Sequence, residues 1–180
     1  MRIFLVLVFL FSLVYADRDG GPYLGIGYGV AEYDDDGLYE QITDKSAPYM
    51  FYYGGAYINK HLSVELGYAK IKDEQFKVVD SGVKKDVSYN LYNISALAHY
   101  AFFDDIWDFY AKFGAGYVTK NSKNGSSLLY GVGTSIRFNE LISVKVAYDM
   151  YEFGYDENGN TSADYKMRIY YPYVALEFQF

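Results

Sequence analysis

The residues that lead up to Phe180 alternate strictly between two faces. One face is apolar and aromatic, and it consists of Val174, Leu176, Phe178 and Phe180. The opposite face carries the charged and amide side chains of the segment, and it consists of Tyr173, Ala175, Glu177 and Gln179. A period of two indicates a β-strand. Because an apolar outer face and a polar inner face are typical of outer-membrane barrels, this segment predicts the closing strand of such a barrel.

The other end of the sequence predicts a secretory signal peptide. Met1 and Arg2 give a positive start, residues 3–14 are almost continuously apolar, and the following Tyr15-Ala16 ends in the small residue favoured for cleavage. This apolar segment is too short to span a bilayer core of roughly 30 Å as a helix. We therefore expect residues 1–16 to be removed and residues 17–180 to form one outer-membrane barrel domain.

The composition is consistent with a membrane barrel and argues against several other functions. Aromatic residues make up 21% of the chain, as expected for two interfacial aromatic girdles. The absence of cysteine excludes thiol catalysis and thiolate metal sites. The net charge of −7 argues against a nucleic-acid partner. We expect no cofactor. Since no other segment is apolar enough for a membrane helix, a closed barrel is the remaining way to span.

Alternating segments and polar breaks predict an all-β fold, an eight-stranded antiparallel up-and-down transmembrane β-barrel. The predicted strands are Pro22–Glu32, Tyr49–Ile58, Leu62–Lys72, Val87–Ala101, Phe109–Thr119, Leu128–Phe138, Leu141–Phe153 and Tyr165–Phe180. The short periplasmic turns are Asn59–His61, Phe103–Asp108 and Asn139–Glu140. The longer extracellular loops are Tyr33–Ser46, Asp73–Asp86, Lys120–Ser126 and Gly154–Asp164. This asymmetry is the one expected of outer-membrane barrels.

Residue parity directs five charged side chains into the lumen. They are Glu65, Lys112, Arg137, Lys145 and Glu177. Each lies a few residues from a periplasmic turn or from Phe180, which predicts a similar depth and a salt-bridged layer. A one-residue slip would move the three cations into lipid, at roughly 2–4 kcal/mol each near the midplane. The layer is either a structural plug or a gate for a water path. We favour the plug because satisfied buried networks rigidify.

Inward glycines complicate this picture. Gly25, Gly27 and Gly29 form a stripe on the first strand. They permit close packing by large neighbours such as Tyr171 and Tyr173, or they leave water-filled space. Because an eight-stranded barrel is just wide enough for side chains to fill, we expect small cavities with water rather than a wide channel. The facing of the second strand stays open, because its aromatic residues occur at both parities.

Neither the histidines nor the acidic loops indicate a catalytic or metal site. His61 falls in a turn, and His99 faces inward about 13 Å from Ser95, the nearest inward serine of its strand. We therefore expect no enzymatic activity. The acidic first loop around Asp34–Asp36 favours a solvated charge run over a calcium site or a site for a basic partner, because its spacing matches no defined calcium loop.

One segment resembles a known family. Residues 54–68 contain Gly-Gly, then an aliphatic-Asn turn, then Glu65 before Leu-Gly-Tyr, and this segment is similar to the second hairpin of the OmpA-type transmembrane barrel. Pro22–Gly25 and Tyr33–Gly37 resemble the first strand and loop of that family. The resemblance implies that Glu65 joins an interior salt-bridge network. It also implies roles such as mechanical integrity, adhesion, phage reception or a small pore. We do not expect peptidoglycan anchoring, and the scale of the chain is closer to that of OmpX and the opacity proteins.

The functional expectation is a monomeric outer-membrane barrel with a structural and cell-surface interaction role. Its expected partners are outer-membrane lipids and lipopolysaccharide, an extracellular ligand held by the loops, and the periplasmic chaperones and barrel-assembly machinery that engage the Phe180 strand. The alternative is a narrow pore for ions or small solutes. A soluble lipocalin-type barrel is disfavoured because the charged residues, and not the apolar ones, point inward.

Overall fold

The computed structural model describes residues 20–34, 46–77, 84–103, 105–120, 123–155 and 165–180. These residues form a closed barrel in which each strand pairs antiparallel with the next and the last pairs with the first. The strands are β1 (Gly21–Asp34), β2 (Ser46–Asn59), β3 (Leu62–Lys77), β4 (Lys84–Phe102), β5 (Trp107–Lys120), β6 (Lys123–Arg137), β7 (Ile142–Tyr155) and β8 (Tyr165–Gln179). The predicted fold class is confirmed. No helix in the described part of the chain is long and apolar enough to cross a membrane.

The strands extend further at their extracellular ends than the sequence pattern predicts. β3 continues from the predicted end at Lys72 to Lys77, and β4 begins at Lys84 instead of Val87. Backbone pairing does not require apolar side chains, so the ladder continues after the alternating pattern stops. Much of the predicted second and third loops is therefore strand. Residues 1–19 and the remaining loop residues lie outside the described part of the chain.

Facing by parity is confirmed at the strand residues whose burial the structure describes. Glu65 is 2% exposed while its neighbour Leu66 is 62% exposed, and the same alternation continues around the barrel. The second strand, which the sequence left open, directs Tyr49, Phe51 and Tyr53 into the lumen.

Outward aromatic residues are concentrated in two bands, as predicted, although Phe113 lies between them on β5. The band toward the extracellular end includes four tyrosines that pair in register across β2 to β5, namely Tyr52, Tyr68, Tyr92 and Tyr117. The periplasmic band includes Tyr100, Phe102, Trp107, Phe109 and Phe178. Tyrosine and tryptophan at these two levels are expected at membrane–water interfaces.

Aromatic side chains fill the upper lumen, between the charged layer and the extracellular end. Tyr171 lies at the centre, and its ring centroid is 3.9 Å from that of Tyr49 and 5.6 Å from that of Phe51. The inward glycines accommodate these rings. A Cβ atom at Gly25 would fall 2.0 Å from the Tyr53 ring, and one at Gly27 would lie 3.2 Å from Tyr173. Close packing, and not open space, therefore explains these two glycines.

Pro172 shapes the seam where β8 meets β1. The β1–β8 register is the same on both sides of the proline, but Val30 and Ala31 have no ladder partner opposite it. Proline lacks the N–H that the ladder requires. The Pro172 carbonyl instead accepts a 2.8 Å hydrogen bond from the Tyr49 hydroxyl, which reaches across Gly29 from β2.

Candidate functional site

The charged layer of the lumen centres on Lys112 of β5. Its Nζ lies 2.9 Å from Oε1 of Glu65 and 2.8 Å from Oδ2 of Asp149. It also donates a 3.1 Å hydrogen bond to the Tyr173 hydroxyl. All three charged side chains are at most 1% exposed. A lysine without such partners would be costly to bury, so the two carboxylates are what permit its position.

Lys145 of β7 completes the layer on the periplasmic side. Its Nζ contacts Glu177 and lies 3.7 Å from Oε2 of Glu65. Glu65 therefore links the two lysines, so that Glu65, Lys112, Asp149, Lys145 and Glu177 form one connected network that spans the lumen. Salt-bridge pairs that share a member constrain one another, which favours a single arrangement.

The structure brings together four of the five predicted residues and separates the fifth. Arg137 lies nearer the periplasmic end, half-buried, where its Nη2 donates a 2.8 Å hydrogen bond to Oε1 of Gln179. Its place in the predicted layer is taken by Asp149. The predicted set rested on distance from a periplasmic turn, and Asp149 lies too far along β7 for that criterion.

A row of the barrel wall explains how Asp149 reaches Lys112. Lys112 pairs with Gly131 across β5 and β6, and Gly131 pairs with Asp149 across β6 and β7. A Cβ atom at Gly131 would fall 2.0 Å from Oδ1 of Asp149. A side chain at this position would displace the Asp149 carboxylate, so the glycine leaves room for the salt bridge to pass over β6. All three residues can be assigned to the lumen from the sequence, but only the strand registers show that they lie in one row.

Aromatic rings surround the lysines where solvent would otherwise be. The Lys145 Nζ lies 4.9 Å from the ring centroids of both Tyr23 and Tyr53. The Lys112 Nζ lies 5.5 Å from the centroid of Phe51 and 5.6 Å from that of Tyr173. At these distances the faces of aromatic rings attract cations. Rings and carboxylates together therefore replace the hydration of both lysines.

A second polar cluster, which sequence reasoning missed, lies below the layer. The His99 Nε2 is 2.8 Å from Oγ of Ser63, and its Nδ1 is 2.7 Å from Oδ2 of Asp108. The expectation for His99 considered only Ser95 on the same strand. Ser63 comes from the neighbouring β3, beside the backbone bond from His99 N–H to the His61 carbonyl. Cross-strand neighbours are invisible to spacing along one strand.

This serine, histidine and aspartate are arranged in the order of a hydrolase triad, but the nucleophile is closed off. Ser63 is 0% exposed, and its hydroxyl also lies 3.3 Å from that of Tyr23. A substrate carbonyl must approach the attacking oxygen closely, and the Ser63 hydroxyl is inaccessible even to water. The three side chains hydrogen-bond one another and connect through Tyr23 to Glu65, whose Oε2 lies 3.4 Å from the Tyr23 hydroxyl.

The family model for the outer membrane protein beta-barrel domain matches residues 3–177. The chain belongs to this family of outer-membrane β-barrels. The barrel is therefore a bacterial outer-membrane protein, its outward bands face the interfaces of that membrane, and the charged layer lies within it. No curated protein sequence matches the chain.

Solved structures of small outer-membrane barrels share this fold. The attachment invasion locus protein Ail of Yersinia pestis superposes with a TM-score of 0.58 at 17% identity, over 90% of this chain and 99% of Ail. Neisserial surface protein A gives 0.56 at 16% identity over 89% of this chain and 97% of its own. OprG from Pseudomonas aeruginosa superposes with a TM-score of 0.55 at 11% identity, over 92% of this chain and 98% of OprG. At these identities the likeness concerns the fold alone.

Proposed function

We propose that this protein is a closed, non-enzymatic barrel that presents its loops for interaction at the cell surface. The observation that carries the proposal is the filling of the lumen. The Glu65–Lys112–Asp149–Lys145–Glu177 network lies across the lower half, and the Tyr171 aromatic cluster lies above it. A network in which each charged member has an ion-pair partner, held between packed rings, acts as a plug that holds the barrel in one register.

Conductance tests the plug directly. The refolded chain, inserted into a planar bilayer after its heat-modifiable gel mobility is verified, should produce no unitary steps. The alternative function is a narrow pore, which is favoured by the excess of carboxylates over lysines in the layer, since that excess would select cations. Stable steps in the unaltered protein that grow in Glu65→Gln would establish the pore and refute the plug.

The enzymatic alternative has its own test at Ser63. Because Ser63 is fully buried, a small fluorophosphonate should leave the folded protein unlabelled. Labelling that disappears in Ser63→Ala and in His99→Gln, but persists in Ser95→Ala, would show an active nucleophile and overturn the non-enzymatic assignment.

The sequence of the loops indicates the kind of surface partner. The first loop, residues 33–46, contains five acidic residues and one lysine. Ail has been solved in complex with a heparin analogue, sucrose octasulfate, but such a polyanion would be repelled by this loop. A partner held by this loop would therefore have a basic surface, which is the alternative to a purely solvated charge run. This loop and the fourth, residues 154–164, have the largest excess of carboxylates.

Binding to immobilised polylysine and to heparin separates these partners. The unaltered protein in detergent should bind polylysine in a salt-sensitive manner and pass through heparin. Asp35→Asn/Asp36→Asn should elute from polylysine at lower salt, because the interaction is electrostatic. Asp105→Asn, at a periplasmic turn, is the matched control and should elute unchanged. Retention on heparin, or identical elution of all variants, would refute the basic partner.

The C-terminal strand supports one further proposed contact, with periplasmic chaperones and the barrel-assembly machinery. Within the folded barrel, the Phe180 N–H donates a 2.9 Å hydrogen bond to the Pro22 carbonyl. The terminal residue therefore takes part in closure of the β1–β8 seam. Phe180→Ser should slow assembly in cells while leaving refolding in detergent intact. If Phe180→Ser reduced assembly in cells and refolding in detergent equally, Phe180 would act through the stability of the barrel instead.

A further inference from the structure

Two shallow apolar grooves run along the outside of β1, β2 and β3, and they meet at Tyr52 and Tyr68. The groove toward the extracellular end has a volume of about 400 Å³, and Tyr28, Met50 and Lys70 also line it. The groove toward the membrane centre has a volume of about 340 Å³. Cavities that hold small molecules begin at about 300 Å³. Together the grooves make one slot that descends from Lys70 toward the bilayer centre.

The slot exists because glycine occupies an outward position of β2. Gly54 lies in register with Leu24 of β1 and Leu66 of β3, and both leucines project outward at about 60% exposure. The wall therefore lacks one side chain between two large ones. The slot is shallow at Gly54, where the tip of Leu24 leans over the glycine: a Cβ atom there would fall 2.8 Å from the Leu24 Cδ2 atom and 3.6 Å from the Tyr23 carbonyl oxygen, so an added side chain would displace the leucine tip.

The extracellular end of the slot carries a positive charge. Lys70 is exposed, and no described carboxylate forms an ion pair with it. It lies one outward position beyond Tyr68 on β3, and Tyr68 belongs to the upper tyrosine band. Because that band marks the membrane interface, Lys70 lies at the level of lipid headgroups.

We propose that this slot binds one phosphorylated lipid of the outer leaflet, with an acyl chain over Gly54 and a phosphate at Lys70. The apolar floor and the single cation at headgroup height match the two ends of such a lipid. The inference rests on the outer-membrane location of the barrel and is independent of the proposed surface partner. Evidence against the surface role would therefore not count against the lipid site.

Native mass spectrometry of the refolded full chain tests the proposal, with diphosphorylated lipid A and phosphatidylcholine as probes. We expect one lipid A to stay bound in preference to phosphatidylcholine. Lys70→Gln should weaken lipid A binding about fivefold, since one lysine near a headgroup contributes about 1 kcal/mol, and should leave phosphatidylcholine unchanged. Gly54→Leu fills the slot and should weaken both lipids.

Two control variants separate the slot from general lipid contact. Ala56→Leu adds the same side chain one outward position below Gly54, and Lys60→Gln removes an exposed lysine at the periplasmic turn. Both should bind as the unaltered protein does. Equal loss in Gly54→Leu and Ala56→Leu, or no loss in Lys70→Gln, would overturn the proposal. Displacement of lipid A by inorganic phosphate would also overturn it, because a free-anion site needs no slot.

Discussion

The lower and upper halves of the lumen fill the same barrel width in two different ways. The lower half uses charges that must be matched, with Lys112 between Glu65 and Asp149 as the central contact. The upper half uses rings that must fit, with Tyr171 stacked on Tyr49. Charges impose pairing, because each unpaired member is costly in a low-dielectric interior. Rings impose shape, because packing depends on the absence of both voids and overlaps.

Glycine serves both halves, for different reasons. In the lower half Gly131 lets a salt bridge pass over a strand, and in the upper half Gly29 lets the Tyr49 hydroxyl reach the Pro172 carbonyl. The same absence of a side chain therefore supports pairing in one region and packing in the other. Substitutions matched across the two halves can separate these contributions.

The largest effect is expected from Lys112→Met, which removes the cation shared by two buried carboxylates. Breaking a buried ion pair from one side costs about 3–5 kcal/mol, because the remaining charge is uncompensated. Urea unfolding in lipid vesicles, followed by gel mobility and by the single Trp107, gives the loss in free energy of unfolding. Lys60→Met, at an exposed turn, should change it by less than about 0.5 kcal/mol.

A second variant shows whether charge is the cause of that loss. Lys112→Met/Asp149→Asn also removes the nearer uncompensated charge, so it should recover part of the loss. If the double variant were no more stable than Lys112→Met, the lysine would act by packing against Phe51 and Tyr173 and not through its pairs.

The next largest effect is expected from Gly29→Ala at the upper half. The added Cβ atom would fall 2.0 Å from the Pro172 carbonyl and 2.6 Å from the Tyr49 hydroxyl. Because the first contact is with backbone, the β1–β8 seam must shift, and overpacking of this kind costs about 1–3 kcal/mol. The same unfolding measurement checks it.

Gly27→Ala is the matched control, two residues away on the same face of β1. Its nearest contacts would be 3.2 Å, so small shifts suffice and the cost should be clearly lower. Equal costs at both positions would show that the seam at Pro172 is as adaptable as the rest of the wall.

The two halves also differ in what the sequence alone could predict. Parity placed Glu65, Lys112, Lys145 and Glu177 inside, because one slipped residue would expose all of them to lipid. Their partners were not predictable, since Asp149 reaches Lys112 only through the register that aligns Gly131 between them. The facing of Tyr49 was left open because both parities of β2 are aromatic, and only barrel closure decides it. The contact of Ser63 with His99 was also missed, because it joins β3 to β4 and depends on the register between them.

A smaller effect is expected from Tyr49→Phe, which keeps the ring and removes one hydrogen bond. The hydroxyl donates to the Pro172 carbonyl at 2.8 Å, and its loss should cost about 0.5–1.5 kcal/mol. Tyr28→Phe, at an outward tyrosine that is 61% exposed, is the control and should cost almost nothing. A cost for Tyr49→Phe as small as the control would mean that water replaces the hydroxyl at the seam, so the carbonyl is less secluded than the packing indicates.

The smallest effect is expected from Arg137→Met, which separates the charged layer from the periplasmic end of the lumen. Arg137 is half-buried and donates to the neutral Gln179, so its removal leaves no buried charge uncompensated. We expect about 0.5 kcal/mol, at the low end of the net cost of one hydrogen bond because Arg137 is only half-buried, against the several kcal/mol of the equivalent change at Lys112. The two variants should be compared under identical unfolding conditions. A cost at Arg137 that equals the cost at Lys112 would place the arginine in the same network, and would mean that depth along the strand, and not direct pairing, decides which charges hold the barrel together.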